Sequence, residues 1–376
     1  MAEQQRIAIV GAGLAGLAAG LELKETGAHV EVYERSRLLG GRATSFVVGG
    51  CEVDNGQHVF LACCTEFTGF VRRIGMERHL HVQERFDALV LARDGKAGHL
   101  RAGNGRPPFH LLASFAKYPH LKASGKLRVA RALAGALLAK NGRSSGPPEE
   151  TFETWLVRTG QDAGTRRAFW DPFFIPALNA PFDRISREDA MFVLTTAFLK
   201  DAGAARFGFS TVPLAHFATA AADRLDGVHL ATPVVAVDAG DRGVTLHLLG
   251  DPAPRRFDAA VLAVPPPAVA KLLGDPGRYG VAGLDAFEPY PIVDVHLWHD
   301  GPSIGVDFAA ALDSPLQWIF EKSRGYLCCS CSAADKYLRL PTAQLEALAW
   351  DEVRAYLPVL RGATLTRSAV TRNPEA

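Results

Sequence analysis

The chain opens on a five-residue apolar run, Arg6–Val10 (RIAIV), followed by a glycine-rich turn, and residues 14–26 then carry apolar side chains at helical spacing. A second short run with β-branched residues follows at His29–Tyr33. Short apolar runs of this kind predict buried strands, whereas apolar positions three and four apart predict a helix. Gly27 supplies the helix stop, so the opening reads β-α-β. Residues 109–143 have another texture: Leu and Ala are interleaved with Lys117, Lys122, Lys126, Arg128, Arg131, Lys140 and Arg143, with no acid. Residues 142–148 (GRSSGPP) predict a flexible connector. Residues 149–225 read as mainly helical, with an aromatic, proline-broken block at 166–181. Strand patterns return at 228–237, 244–249 and 259–264, and after three prolines at 292–298 and 326–332, before a helix over 342–356. There is no internal repeat.

A length of 376 residues, 48% of them hydrophobic, supports the cores of two domains. The formal charge of +1 argues against a nucleic-acid partner held by bulk charge. No apolar run approaches the ~20 residues of a membrane-spanning helix. The N-terminal apolar stretch is broken by glycines and lacks a signal-peptide cleavage pattern, which predicts a cytoplasmic protein. Against that near-neutral total, the basic, leucine-rich segment 109–143 reads either as a surface for an anionic membrane or as a core helix with a solvated basic face. Cys328 and Cys331 have C-x-x-C spacing, but no second pair or histidine cluster stands near them, so no metal site is expected. The run from 325 to 332 (GYLCCSCS) reads instead as a buried strand.

Candidate chemistry begins at Gly11-Ala12-Gly13-Leu14-Ala15-Gly16, a G-x-G-x-x-G between strand and helix. In such a motif the first glycine makes the turn, and the second lets a pyrophosphate reach the backbone. The third lets the helix pack on the strand. The amides of Leu14 and Ala15, at the positive end of the helix, then face the phosphates. Glu34 ends the second strand, where an acid accepts hydrogen bonds from ribose hydroxyls and disfavours a 2′-phosphate.

Beyond Glu34 the chain reads Arg35-Ser36-Arg37-Leu38-Leu39-Gly40-Gly41-Arg42. This E-x5-G-G-R pattern resembles the glycine-doublet flavoproteins, which include amine oxidases, protoporphyrinogen oxidases and carotenoid desaturases. The resemblance implies FAD, with Arg35, Gly40, Gly41 and Arg42 beside its ribityl-pyrophosphate arm. Gly56-Gln57-His58 resembles the station where the chain passes the flavin ring, and Val234 the strand beside adenine. No Cys or His stands in a covalent attachment context, so non-covalent FAD is expected. The fold class implied is α/β, a doubly wound Rossmann-like FAD-binding domain interleaved with a second α+β substrate domain. By sequence order, residues 1–90 and 211–290 form the first, and residues 91–210 and 291–376 the second.

The segments 54–65 (DNGQHVFLACCT), 169–179 (FWDPFFIPALN) and 290–297 (YPIVDVHL) are similar to those of the hydroxysqualene dehydroxylase family. The resemblance implies reduction of hydroxysqualene to squalene, with hydride from reduced FAD and loss of water, on an isoprenoid substrate. Hydroxide is a poor leaving group, so a proton donor is required. His58 and Glu321 are the candidates, with Gln57 orienting the hydroxyl; Asp54 and Asn179 read as turn caps. The alternatives are an oxidative carotenoid-type desaturase or another amine-oxidase-type flavoenzyme, and, in another class, a prenyl-protein escort or an inactive protein. The escort reading is disfavoured by the intact fingerprint and Glu34. The superfamily's final flavin motif, G-D followed by P-x-x-x-E-G-A, is not found before Ala376, so a C-terminally incomplete fold is expected. The electron donor is left open.

Overall fold

The computed structural model describes residues 4–138 and 149–376, and within them the chain divides into two compact units. The first comprises residues 1–55, 66–80 and 210–289; the second comprises residues 56–65, 81–209 and 290–376.

In the first unit Arg6–Val10 is an inner strand of a parallel four-stranded sheet, flanked by His29–Tyr33 and Ala259–Leu262, with Gly227–His229 at the edge beyond His29–Tyr33. Its alternation explains the layering. Ile7 and Ile9 pack into a cluster with Leu17 and Leu21 of the helix Leu14–Glu25 and with Phe217. Ala8 and Val10 face the other way, into a cluster with Val237, Leu246 and Phe257. Both faces of the sheet are therefore covered, the condition under which parallel strands are stable. The helix ends where Gly27 takes a φ of +90°.

Two segments of this unit differ from the sequence expectation. The strand expected at 228–237 is two: Gly227–His229 completes the parallel sheet, and Val234–Gly240 starts an antiparallel sheet with Gly243–Leu248 and Arg255–Phe257. Ala231, at φ +50°, and the adjoining Thr232-Pro233 break the run. Ser45–Val48 and Cys51–Asp54 form a hairpin that the sequence reading omitted. Gly49 and Gly50, both at positive φ, make its two-residue turn.

The second unit is built on a seven-stranded sheet. Its order is Leu365–Asn373, Ile292–His299, Tyr326–Cys331, Trp318–Ser323, Phe308–Ala311, Asp87–Leu91 and Ala97–Arg101. All pairs are antiparallel except Phe308–Ala311 with Asp87–Leu91. That pairing places residues 81–90 in this unit, whereas sequence order had assigned them to the first. Residues 56–65 move likewise, as Val59–Leu61 pairs with Phe207–Ser210. The cysteine run forms the buried strand Tyr326–Cys331, with Cys328, Cys329 and Cys331 all inside.

Helices from 109–138 and 152–199 pack over part of this sheet around Trp170, Phe152 and Tyr118. Two stretches of them, Arg166–Trp170 and Leu194–Leu199, are π-helical. The connector expected at 142–148 lies outside the described residues, and no described helix is long and apolar enough to cross a membrane.

Candidate functional site

In the first unit the turn after Arg6–Val10 brings three glycines to the start of the helix Leu14–Glu25, and different constraints hold each. Gly11 has a φ of +105°, and a Cβ there would lie 2.5 Å from the Ala263 carbonyl oxygen. At Gly16 a Cβ would overlap the Gly11 carbonyl oxygen. Those two are demanded by the chain itself. Gly13 is not: its φ is −70°, and a Cβ would come no nearer than 4.0 Å to Gly40 O. A side chain there would fit the protein but fill the space in front of the helix. No side chain caps this N-terminus. The first-turn amides, those of Leu14 and Ala15 among them, have no intrahelical acceptor. A cradle kept clear at an uncapped helix N-terminus fits a phosphate.

The remaining residues of the first unit close around this turn. Glu34 is buried and its carboxylate accepts Ala12 N–H and Ser36 N–H, both at 2.8 Å. It braces the glycine turn against the end of the second strand. Each of its oxygens keeps a further lone pair for a ribose hydroxyl. Gly40 N–H donates to Ala12 O at 2.9 Å, and Gly41, at φ +61°, would place a Cβ 3.2 Å from Gly13 Cα. The doublet thus packs directly on the fingerprint. Arg35 and Arg42 are exposed. Val234 lies in the antiparallel sheet, two residues past Thr232, whose N–H donates to Glu34 O at 2.8 Å. Asp54 is no simple turn cap: it accepts Ser45 Oγ at 2.7 Å and Leu214 N–H at 2.9 Å, joining distant segments.

The second unit begins at Gly56 and holds a separate cluster. Gly56 has a φ of +128°, and a Cβ on it would overlap Asp294 Oδ2. Asp294 is 2% exposed on the central strand Ile292–His299 and accepts Ser330 Oγ at 2.5 Å and the Gln57 N–H. Burial pushes its carboxyl up to about 7, although both hydrogen bonds favour the charged form. The flanking thiols of Cys329 and Cys331 are pushed up by their own burial and by the Asp294 charge, so they stay neutral. Gln57 Oε1 and Thr371 Oγ1, the latter on the strand paired with Asp294, are buried with no hydrogen-bond partner. Orphaned polar atoms of this kind suit a polar ligand group.

His58 is half-buried and leads into Val59–Leu61. Glu321 lies elsewhere on the sheet. It is paired with Leu327, three positions along the neighbouring strand from Ser330, and its carboxylate accepts Ser303 Oγ at 2.6 Å and Ile304 N–H at 3.3 Å. Its carboxylate braces a loop, and the structure does not bring it to the Gly56–Asp294 cluster. Asn179 ends the helix Asp171–Leu178 in the left-handed conformation and also bridges Tyr290 O and Ala333 N–H. Asp294 is the residue the sequence reading missed. An acid in the middle of the strand I-V-D-V-H-L-W-H was its available signal, because a buried strand admits a carboxyl only where something holds it.

Comparison with known proteins extends this geometry. The family pattern described as "Flavin containing amine oxidoreductase" matches residues 14–374. The chain is 27% identical to the hydroxysqualene dehydroxylase of Zymomonas mobilis over 364 residues, covering 92% of this chain and 81% of that one. It is 25% identical to a zeta-carotene desaturase of Arabidopsis thaliana, over 98% of this chain and 75% of that one. Among solved structures, a putrescine oxidase bound to putrescine superposes with a TM-score of 0.74 at 20% identity, over 98% of this chain and 85% of that chain. The two-unit fold is that of these flavoproteins. With a flavin as its cofactor and oxidoreduction as its chemistry, the chain belongs to the flavin-containing amine oxidoreductase family.

Proposed function

We propose that this oxidoreductase binds FAD non-covalently and reduces hydroxysqualene to squalene with loss of water. The observation that carries the reading is the 27% identity to a hydroxysqualene dehydroxylase over 92% of this chain, which takes in both units. The first unit is the FAD-binding domain and the second the substrate domain. The clear space at Gly13 and the helix amides of Leu14 and Ala15 receive the pyrophosphate, and Glu34 accepts the ribose hydroxyls. Gly40 and Gly41 keep the backbone close, Arg42 supplies positive charge, and Val234 offers its backbone to adenine. When bound and reduced, the flavin supplies a hydride.

The chain's own task is to bind the alkene, exclude water and protonate the departing oxygen. One proton and one hydride convert the C–OH bond to C–H and release water. His58 and Glu321 are candidates for the proton, with Gln57 placing the hydroxyl. The brace that Glu321 gives Ser303 and Ile304 ranks it below His58. Asp294 is a positioning residue that holds the Gly56–Gln57 turn.

Photoreduced protein incubated anaerobically with hydroxysqualene should yield squalene in amounts that match the flavin reoxidised. His58→Ala should slow this conversion by roughly 100-fold, the lower range for loss of a general acid, while retaining flavin. A second reading, oxidative desaturation, is favoured by the 25% identity to a zeta-carotene desaturase over 98% of the chain. Oxidation of squalene or a carotene by the resting protein, with hydroxysqualene untouched by the reduced form, selects that reading and excludes dehydroxylation.

A further inference from the structure

The helices of the second unit enclose a cavity of about 270 Å³ that no motif in the sequence pointed to. Its lining consists of Phe, Leu, Ala and Pro only. Phe86, Leu100 and Phe174 form a buried floor, while Phe109 (69% exposed), Leu112 (58%) and Leu137 (44%) form a rim open to solvent. Phe169 reaches it from one π-helix, and Leu194, Phe198 and Leu199 from the other.

Three physical arguments converge on a ligand. An unfilled apolar void costs stability in proportion to its volume, and one lined by apolar side chains does not readily recruit water. Pi-helical turns are rare and are found mostly at functional sites, yet two of them wall this one cavity. A rim of exposed Phe and Leu is costly in water unless something apolar passes it or covers it.

We propose that this cavity binds the unreactive end of an isoprenoid hydrocarbon chain. With no polar side chain in its lining, it selects by length and branching. At about 270 Å³ it is slightly smaller than the roughly 300–1,000 Å³ pockets that bury a whole drug-sized ligand, so it takes only part of a long chain. It therefore anchors one end of a long chain and leaves the functional end to lie elsewhere. This inference rests on the isoprenoid reading of the substrate but not on the direction of the redox step.

The test is photo-crosslinking of the full chain with an isoprenoid alcohol carrying a diazirine at its hydrocarbon end, followed by peptide mapping. Labels are expected on peptides from 109–137 and 169–199. Ala130 and Ala134 line the cavity from exposed helix positions, so Ala130→Phe and Ala134→Phe fill it without entering the core. Each variant should keep its melting temperature and bind squalene at least about tenfold more weakly, a difference of about 1.4 kcal/mol. Labels confined to other peptides, or folded variants that bind squalene as the parent does, would overturn the proposal. Should both variants unfold, labelling of the unaltered protein decides alone. Labelling here without conversion of hydroxysqualene sinks the dehydroxylase reading and leaves the cavity assigned; conversion with labels elsewhere does the reverse.

Discussion

Gly11, Gly13 and Gly16 look equivalent in the sequence, and only the backbone around them separates the two that the fold requires from the one that it does not. Gly13→Val should therefore fold with the melting temperature of the flavin-free parent and lose its flavin on gel filtration, whereas Gly16→Ala should destabilise the protein itself, as its Cβ meets the Gly11 carbonyl. Flavin retained by Gly13→Val would remove the pyrophosphate from this turn. Glu34→Ala is a poorer probe, because it also strands two N–H groups at about 1–3 kcal/mol each. The contacts of Glu34 and Gly40 with the fingerprint join residues that lie close in the chain, so a sequence reading can reach them. Asp294 was not legible, since the Gly56–Gln57 turn that it holds is far away in sequence. Its carboxyl binds a proton more tightly folded than unfolded. Its contribution to stability is thus complete below about pH 4 and is lost as pH rises through about 7. Urea melts from pH ~5 to pH ~8 should show a decline of up to roughly 3 kcal/mol, which Asp294→Asn flattens. An identical decline in the variant would assign the pH dependence to other groups.

At the scale of elements, the strands that the sequence reading named were found to within about two residues apart from the run at 228–237, whereas Asp87–Leu91, Ala97–Arg101, Phe308–Ala311, Trp318–Ser323 and Leu365–Asn373 went unread. The strands Arg6–Val10 and His29–Tyr33 and the helix Thr342–Tyr356 match their expected bounds. The hairpin at 45–54 was missed although its Gly-Gly turn between β-branched residues was in view. The π-helices left no periodic signature, because one extra residue per turn shifts the apolar stripe only locally. Segment 109–143 shows what burial adds to charge. Its described part carries exposed Phe109, Leu112, Leu127 and Leu138 beside exposed Lys117, Lys122 and Arg131. Lys126 instead donates to Ala116 O at 2.6 Å, and Arg128 pairs with Asp162 at 2.6 Å. If this face meets an anionic bilayer, flotation with acidic liposomes should weaken with salt and with Lys117, Lys122 and Arg131 changed to Gln, by roughly 1 kcal/mol per charge. Lys126→Gln should act on stability instead. Flotation indifferent to salt and to all three changes would leave this face without a membrane role.

For the whole molecule, the order of motifs revealed a discontinuous two-part architecture but not its seams. Residues 56–65 and 81–90 carry no mark of allegiance, and only strand pairing in the finished sheets places them. The same discontinuity bears on how the protein is made. Arg6–Val10 and His29–Tyr33 leave the ribosome early, but their outer neighbours, Ala259–Leu262 and Gly227–His229, belong to a much later part of the chain. At about 5–20 residues per second, the first two strands wait roughly ten to fifty seconds with both outer edges unpaired. Exposed edges of apolar strands are templates for mispairing. Nascent chains stalled before residue 227 should accordingly be bound by chaperones and cut readily by protease, and protection should arrive as one step once residue 262 has emerged.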